Sequence, residues 1–413
     1  MSARRGACPG LADPMPTGDG LLARLAVTRP LALDEFAALC AAAQAYGNGI
    51  IEITSRGSVQ VRGLTATSAP IFAAAIEALH IVDPTGGRVI ANPLAGLDAH
   101  ELLDASELAD RLRKGLIETG LAATLAPKVS IIIDGGGALS LGAIPADVRL
   151  HAAATQNGIH FQVSIAGDGN SATPVGIVTP ECAIETVVDL LKTVAGHGPT
   201  ARVRDIGARA LHPARFADDP PSPWNGMGAS FSAEPIGTHT LHGGSVALGL
   251  GFPFGHSDAH TLQGLIEEAR RAGAASVRPA PGRVLLVIGL APPRATHVVA
   301  TAQGLGYIVA PDDPRRRVVA CAGAPVCAAA QIPARALAPA IVAATARHDR
   351  RTIHISGCAK GCAHPGPAAL TVVGIAGKCG IVHEGRAQDA PRELLDVDQL
   401  PAYVRHSALQ EAD

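Results

Sequence analysis

The chain has 413 residues, 47% of them hydrophobic and 17% charged, with a formal net charge of −2. That composition excludes a disordered or solvating polymer and leaves no basic field to recruit nucleic acid or an anionic membrane. Aromatic residues make up only 3%, with Trp224 the one tryptophan, too few for a platform on which bases stack.

Taken in chain order, residues 1–16 carry Arg4 and Arg5, but Pro9, Asp13 and Pro14 interrupt the rest of that stretch. No apolar segment of a signal peptide is present, and runs such as 129–133 and 284–291 are too short to span a bilayer, so a cytoplasmic protein is expected. Residues 20–64 then read as strand, turn, helix, small-residue turn and two strands. Leu33, Phe36, Ala37, Cys40 and Ala43 recur at helical spacing behind Asp34 and Glu35, and Val59 and Val61 alternate as a strand. Residues 244–290 repeat the plan, with Leu262, Leu265, Ile266 and Ala269 on the helix, Asp258 near its start, and Val284, Leu286 and Ile288 on the last strand.

A larger segment follows each copy. Helical patterns at 105–119 and 181–195 alternate with strands at 129–133 and 159–165; later a helix at 336–346 precedes strands at 352–355 and 369–375. A Pro/Asp/Ser-rich break at 218–224 is the best linker candidate. The expected fold class is α+β. Two ferredoxin-like half-domains (1–90 and 226–305) pair by pseudo-twofold symmetry, with two larger α/β domains (91–225 and 306–413) around one pocket.

Four of the eight cysteines fall in two tight pairs, Cys321/Cys327 in CAGAPVC and Cys358/Cys362 in CAKGC. Two such pairs supply the four thiolates that a four-iron, four-sulfur cubane requires, and Gly323, Gly357 and Gly361 let the backbone turn closely around inorganic sulfide. Pro325 and Pro365 stiffen the same loops. Two other readings compete. Structural zinc favours shorter spacers in a small ribbon, and four unligated core cysteines would more commonly stand apart. Cys40, Cys182 and Cys379 stand singly in apolar surroundings and read as core; Cys8 is undecided.

Only five of the 34 basic residues are lysines, at 114, 128, 192, 360 and 378. Arg24 lies on the first strand of the first half, and Arg56 and Arg62 at its last hairpin. The second half carries Gly249 and Gly282 near the places of Arg24 and Arg56. Arginines kept in one copy of a duplicated scaffold suggest one anion site per chain, against the alternative of ordinary solvated side chains. Lys128 precedes the apolar strand VSIII, as a point-charge donor or as a solvated strand-edge lysine. The run from Asp134 through three glycines lacks a dinucleotide fingerprint and a phosphate-loop lysine, so it reads as a tight turn. His364 lies beside the second cysteine pair; His242, His256 and His354 form no ligand spacing.

These motifs together resemble the sulfite and nitrite reductase superfamily. The resemblance rests on the order half–large–half–large, the two cysteine pairs, GIIEITSRGSVQVRGL, APKVSIIIDG and GFPFGHSDAHTLQGL. Within it, RRGACPGLADPMPTGDGLLARL, ANPLAGLD and SGCAKGCAHPGPAAL are closer to the precorrin-3B synthase family of aerobic cobalamin biosynthesis. Two features depart from the reductases: Ser130 stands where they carry a second lysine after Lys128, and His364 where they commonly carry arginine. Arg88 sits about one residue out of register with their anion-binding arginine.

The resemblance implies a monooxygenase that hydroxylates the tetrapyrrole precorrin-3A at C20 with dioxygen and closes a γ-lactone. It implies a 4Fe-4S cluster on Cys321, Cys327, Cys358 and Cys362, and a mononuclear non-haem iron whose ligands the sequence does not name, with His364 either a candidate ligand or a hydrogen-bonding neighbour. Arg24, Arg56, Arg62, Arg88 and Lys128 would meet the substrate carboxylates, and NADH or a reductase partner would supply electrons. The alternatives are a siroheme-dependent sulfite or nitrite reductase and a non-enzymatic iron–sulfur electron carrier.

Overall fold

Alternation along the strands of the first half puts Ala23, Leu25, Ile51, Ile53, Val59 and Val61 on one face, where they are buried in a core shared with Phe36 and Leu39 of the helix Leu33–Tyr46. The computed structural model describes residues 9–207, 233–345 and 349–410. The linker expected at 218–224, Cys8, Arg4, Arg5 and Trp224 lie outside the described residues. The described elements form four five-stranded sheets.

The first sheet runs Met15–Thr17, Gly20–Leu25, Val59–Leu64, Ile50–Ile53 and His256–Asp258; its counterpart runs Gly237–Thr240, Val246–Gly251, Val284–Leu290, Ser276–Ala280 and Leu31–Ala32. Each half therefore lends one short strand to the other's sheet. Leu31 pairs with Val277, and His256 pairs with Glu52, both antiparallel. The helices that come after the lent strands, Leu33–Tyr46 and Ala259–Arg271, pack on one another in a single core spanning both halves. Asp258 caps the second helix by accepting from Thr261 N at 2.8 Å. The pairing of the halves is thus an exchange of strands as well as a packing of helices.

The two larger segments repeat one another too. In the first, Val89–Ala91, Ile131–Asp134 and Ala146–Thr155 run parallel, and Gly158–Gly167 and Thr173–Val178 continue antiparallel. In the second, Val318–Ala320, Ile353–Ser356 and Ala368–Ile375 are parallel, with Lys378–Gly385 and Glu393–Leu395 antiparallel. A helix joins the first two strands of each, Ala105–Glu118 and Ala334–Ala344. Val89 pairs with Ile131 in one sheet as Val318 pairs with Ile353 in the other. Counting from those pairs, Asn92 and Asp98 fall where Cys321 and Cys327 fall, and Gly136 and Ser140 where Cys358 and Cys362 fall.

The turn after Asp134 is therefore the first copy's version of a cysteine loop, held by side chains. Asn92 Nδ2 donates to Asp134 Oδ1 (3.0 Å), Gly135 N donates to Asn92 Oδ1 (2.6 Å), and Ser140 Oγ donates to Asp134 Oδ2 (3.0 Å). No described helix is long and apolar enough to cross a membrane.

Candidate functional site

Both cysteine pairs lie on loops that leave the carboxyl ends of the parallel strands Val318–Ala320 and Ile353–Ser356. Cys321 N donates to Ile355 O at 3.1 Å, tying the first loop to the neighbouring strand. Gly357 N, at the head of the second loop, donates to Cys321 Sγ at 3.1 Å. Gly323 has φ +73°, and a Cβ there would stand 2.3 Å from Ala334 N, so this position requires glycine.

The four thiols feel one another. Burial pushes Cys321 up, its two neighbouring amides at Gly357 and Gly323 oppose that, and Cys327 and Cys358 push it further. Burial likewise raises Cys362, with added repulsion from Cys358, Cys321 and Cys327. Four mutually repelling thiolates around one small space, with an amide already aimed at sulfur, fit a cubane, which spreads its ligands over four irons. Among the described residues no group of three or more His, Cys, Asp or Glu side chains converges as ligands of a single ion would.

A mononuclear iron fares no better at the histidines. His364 is half-buried, its Nε2 lies 3.1 Å from Pro367 O, and its ring meets His354 edge-on with centroids 5.6 Å apart. His354 is fully buried, neither ring nitrogen has a partner, and burial pushes it down to about 4. Two imidazoles meet where the sequence suggested one, but with no third donor beside them among the described residues they do not make an iron site. His364 thus stands beside the second cysteine loop in a hydrogen-bonding role. Cys182 is corrected: it is exposed at the start of the helix Pro180–Gly196, while Cys40 and Cys379 are buried.

A cavity of about 920 Å³ opens between the first half and the first large sheet. Its walls are residues 26–28, the hairpin at 56–58, the loop 82–88 and the amino ends of the three parallel strands, at Arg88, Lys128–Ser130 and Pro145–Asp147. The second half closes it with Arg278, Pro279 and Pro281. Basic side chains dominate the lining, since Arg24, Arg56, Arg88, Arg113, Lys128, Arg202, Arg204 and Arg278 face only Asp83 and Asp147.

These cations differ in what else they hold. Arg56, exposed, donates to Pro145 O at 2.8 Å, bridging the hairpin to the large sheet. Arg88 donates to the carbonyls of Ala122, Leu125 and Ala126, so it anchors the end of a short helix. Arg202 makes a two-pronged pair with Asp147 (2.9 and 2.7 Å), and Arg278 donates to Pro93 O and Thr28 O. Arg278 is buried, and desolvation pulls it down to about 10. Lys128 is exposed and has no side-chain partner among the described residues, leaving its ammonium available to a ligand.

Arg62, expected beside Arg24 and Arg56 at one anion site, does not line the cavity. It lies two residues beyond Gln60 and is buried, paired with Asp19 at 3.0 and 2.9 Å and lying 3.7 Å from Glu52, and it donates to Val326 O at 3.2 Å. Gly18 N donates to the same carbonyl at 2.9 Å, so the N-terminal hairpin clamps the first cysteine loop. The second half reaches the other loop, through Arg283 donating to Ala363 O at 3.0 Å. Sequence reasoning missed Arg278, Arg113, Arg202 and Arg204. The signals were there for two of them: Arg278 is a lone charge within the strand Ser276–Ala280, and Arg113 follows Leu108 and Leu112 on the buried side of its helix.

Residues 13–79 match the family model described as the nitrite/sulfite reductase ferredoxin-like half domain. A protein named precorrin-3B synthase, from Sinorhizobium sp, is 38% identical over 401 residues, covering 96% of this chain and 86% of that protein. A ferredoxin–nitrite reductase from Synechococcus elongatus is 31% identical over 134 residues, 30% of this chain and 26% of its own. The solved structure of the Mycobacterium tuberculosis NirA protein superposes with a TM-score of 0.75 at 19% identity, over 93% of this chain and 79% of that one, a likeness of fold.

Proposed function

The chain belongs to the precorrin-3B synthase family, and from that premise we propose that it converts precorrin-3A to precorrin-3B, with the basic cavity as the macrocycle site. The observation that carries this reading is the cavity itself. Its volume is at the upper end of the ~300–1,000 Å³ usual for small-molecule sites, and its charges suit a flat acid whose carboxylates radiate from the rim. Lys128, Arg24 and Arg204 reach out from different walls, which fixes the orientation of such a ligand as well as its affinity. A bare electron carrier has no use for such a space.

The reaction we assign is hydroxylation at C20 followed by closure of the ring A acetate onto the ring as a γ-lactone. One atom of dioxygen enters the product and the other leaves as water, which consumes two electrons and two protons. Cys321, Cys327, Cys358 and Cys362 would hold a 4Fe-4S cluster, which supplies electrons one at a time. Around it the chain's own residues have defined tasks. Arg62 and Gly18 from one side and Arg283 from the other fix the two cysteine loops. Arg56 fixes one wall of the cavity, Pro279 and Pro281 help close it, and Arg24 and Lys128 bind carboxylates. The described residues present no site for a mononuclear iron, so no step is assigned to one. NADH or a reductase would be the electron source.

None of the four cysteines lines the cavity, and Ser130 stands beside Lys128 where the reductases have a second lysine. Both features favour a substrate macrocycle over a resident siroheme. Anaerobically purified protein given precorrin-3A, dioxygen and a reductant should yield a product heavier by one oxygen atom. Siroheme extracted in stoichiometric amount from the pure protein would overturn the reading.

A further inference from the structure

Arg24, Gln60 and Glu52 stand in register on three adjacent strands of the first sheet, Arg24 opposite Gln60 and Gln60 opposite Glu52. A carboxylate only accepts and a guanidinium only donates, so the neighbours dictate the orientation of the amide between them. In that orientation the Gln60 oxygen accepts from Arg24 Nη2 and Nε at 2.6 and 2.9 Å, and its nitrogen donates to Glu52 Oε2 at 2.9 Å. Glu52 in turn accepts from Arg335 at 2.6 Å and lies 3.7 Å from Arg62. Arg335 lies in the first turn of the helix that comes after the first cysteine loop, and Arg62 donates to Val326 O inside that loop. Gln60, Glu52 and Arg62 are all buried.

One continuous chain of charged and amide groups therefore runs from the cavity wall, at Arg24, to the residue preceding Cys327. It exists in one copy of the duplicated scaffold only. The matching rungs of the other sheet are Gly249, Leu286 and Arg278, again in register, and they carry neither the amide nor the carboxylate. A fold that accepts Gly249 and Leu286 at two of these rungs has no need of Arg24 and Gln60 there for stability, since burying a polar amide costs desolvation that Leu286 avoids.

We propose that this ladder couples occupancy of the cavity to the electron affinity of the cluster, with Gln60 and Glu52 as its positioning residues. The inference rests on the reading of the cavity as the macrocycle site. A polycarboxylate bound at Arg24 offsets the charge that Arg24 holds against Gln60 and Glu52. Glu52 is then less offset where it faces Arg62 and Arg335, and the cluster becomes harder to reduce. By linkage the effect is reciprocal, so the reduced protein binds the polyanion more weakly than the oxidised protein by the same factor.

The test uses the anaerobically purified, cluster-loaded full chain, with uroporphyrin, an octacarboxylate porphyrin, as probe. Binding is followed by porphyrin fluorescence, and the cluster potential by redox titration monitored by electron paramagnetic resonance. Wild type should bind the probe about fivefold more weakly when reduced, with its midpoint potential lowered on probe binding to match. Gln60→Leu, which installs the residue of the other copy, should keep the iron content and the resonance line shape but lose that dependence. Glu52→Gln should raise the probe-free potential and also lose the response. An equal response in wild type and Gln60→Leu overturns the coupling, as does probe binding in wild type with no shift in potential. Failure of wild type to bind the probe overturns the cavity reading together with it.

Discussion

Asn92 occupies in the first large segment the position that Cys321 occupies in the second, one residue past the end of the first parallel strand. From there the two copies solve one problem by different chemistry. Two loops at neighbouring strand ends must be held together. The second copy presents four cysteines, which in the proposed reading share a metal–sulfide core, and the first knits Asn92, Asp134 and Ser140 by hydrogen bonds. In that reading a single cluster per chain is the consequence of this division.

Replacing Cys358 by Ser should remove the cluster, because a serine hydroxyl is a weak ligand for iron beside three thiolates. The measurement is the broad visible absorption of thiolate-ligated iron together with the iron and sulfide content. Retention of the full four-iron complement would refute the ligand assignment.

Gly323→Ala acts on the same loop through sterics. The added methyl would meet Ala334 N at 2.3 Å on a backbone with φ +73°, so the loop must move. Strain of this kind costs about 1–3 kcal/mol. The expected outcome is a lower thermal midpoint and slower cluster reconstitution, checked by calorimetry and by absorption against time.

Lys128→Ala and Arg24→Ala should each weaken binding of a porphyrin polycarboxylate. A charged hydrogen bond contributes about 1.5–3 kcal/mol, so a loss of roughly tenfold or more is expected, and it should shrink as salt is raised. Arg62→Ala, by contrast, should spare porphyrin affinity and impair cluster retention. Equal losses of affinity in all three would return Arg62 to the cavity.

One macrocycle should bind per chain. The cavity's counterpart, between Gly251, Gly282 and Val318, is filled by Phe252, Phe254, Ile236 and Ile308, leaving about 120 Å³. Titration calorimetry with a porphyrin acid should give unit stoichiometry.

Stability in acid should track Asp134. Burial alone would raise this carboxyl, but His151, Asn92 and the Gly136 amide hold it at about 2, below its ordinary 3.8. A folded-state value below the unfolded one stabilises the native chain above pH ~4 and is lost as the pH falls through about 2. The difference corresponds to about 2 kcal/mol at neutral pH. Asp134→Asn should cost stability of that order at pH 7 and flatten the decline between pH 4 and 2, read from urea midpoints against pH.

Much of this architecture was legible in the residues. The helix and strand periodicities located both halves, because each buries one apolar face, and the expected elements at 105–119, 181–195 and 369–375 match Ala105–Glu118, Pro180–Gly196 and Ala368–Ile375. The cysteine spacings identified both loops. The exchanged strands left no mark, since Leu31–Ala32 and His256–Asp258 are too short to carry a period and owe their structure to the partner sheet. Arg24 and Arg62 could not be told apart for a related reason. Both stand on the polar side of the same sheet, and only its packing decides that one meets the cavity and the other Asp19 and Val326.

The strand exchange also governs how this chain comes off the ribosome. Until His256–Asp258 has been made, the edge of Ile50–Ile53 has no partner, and at ~5–20 residues per second that is a wait of about 10–40 s. Such a bare, apolar edge invites pairing with other nascent chains. A cut between the halves would leave two fragments each short of a strand that only the other can supply, so they should regain structure on mixing and aggregate when kept apart.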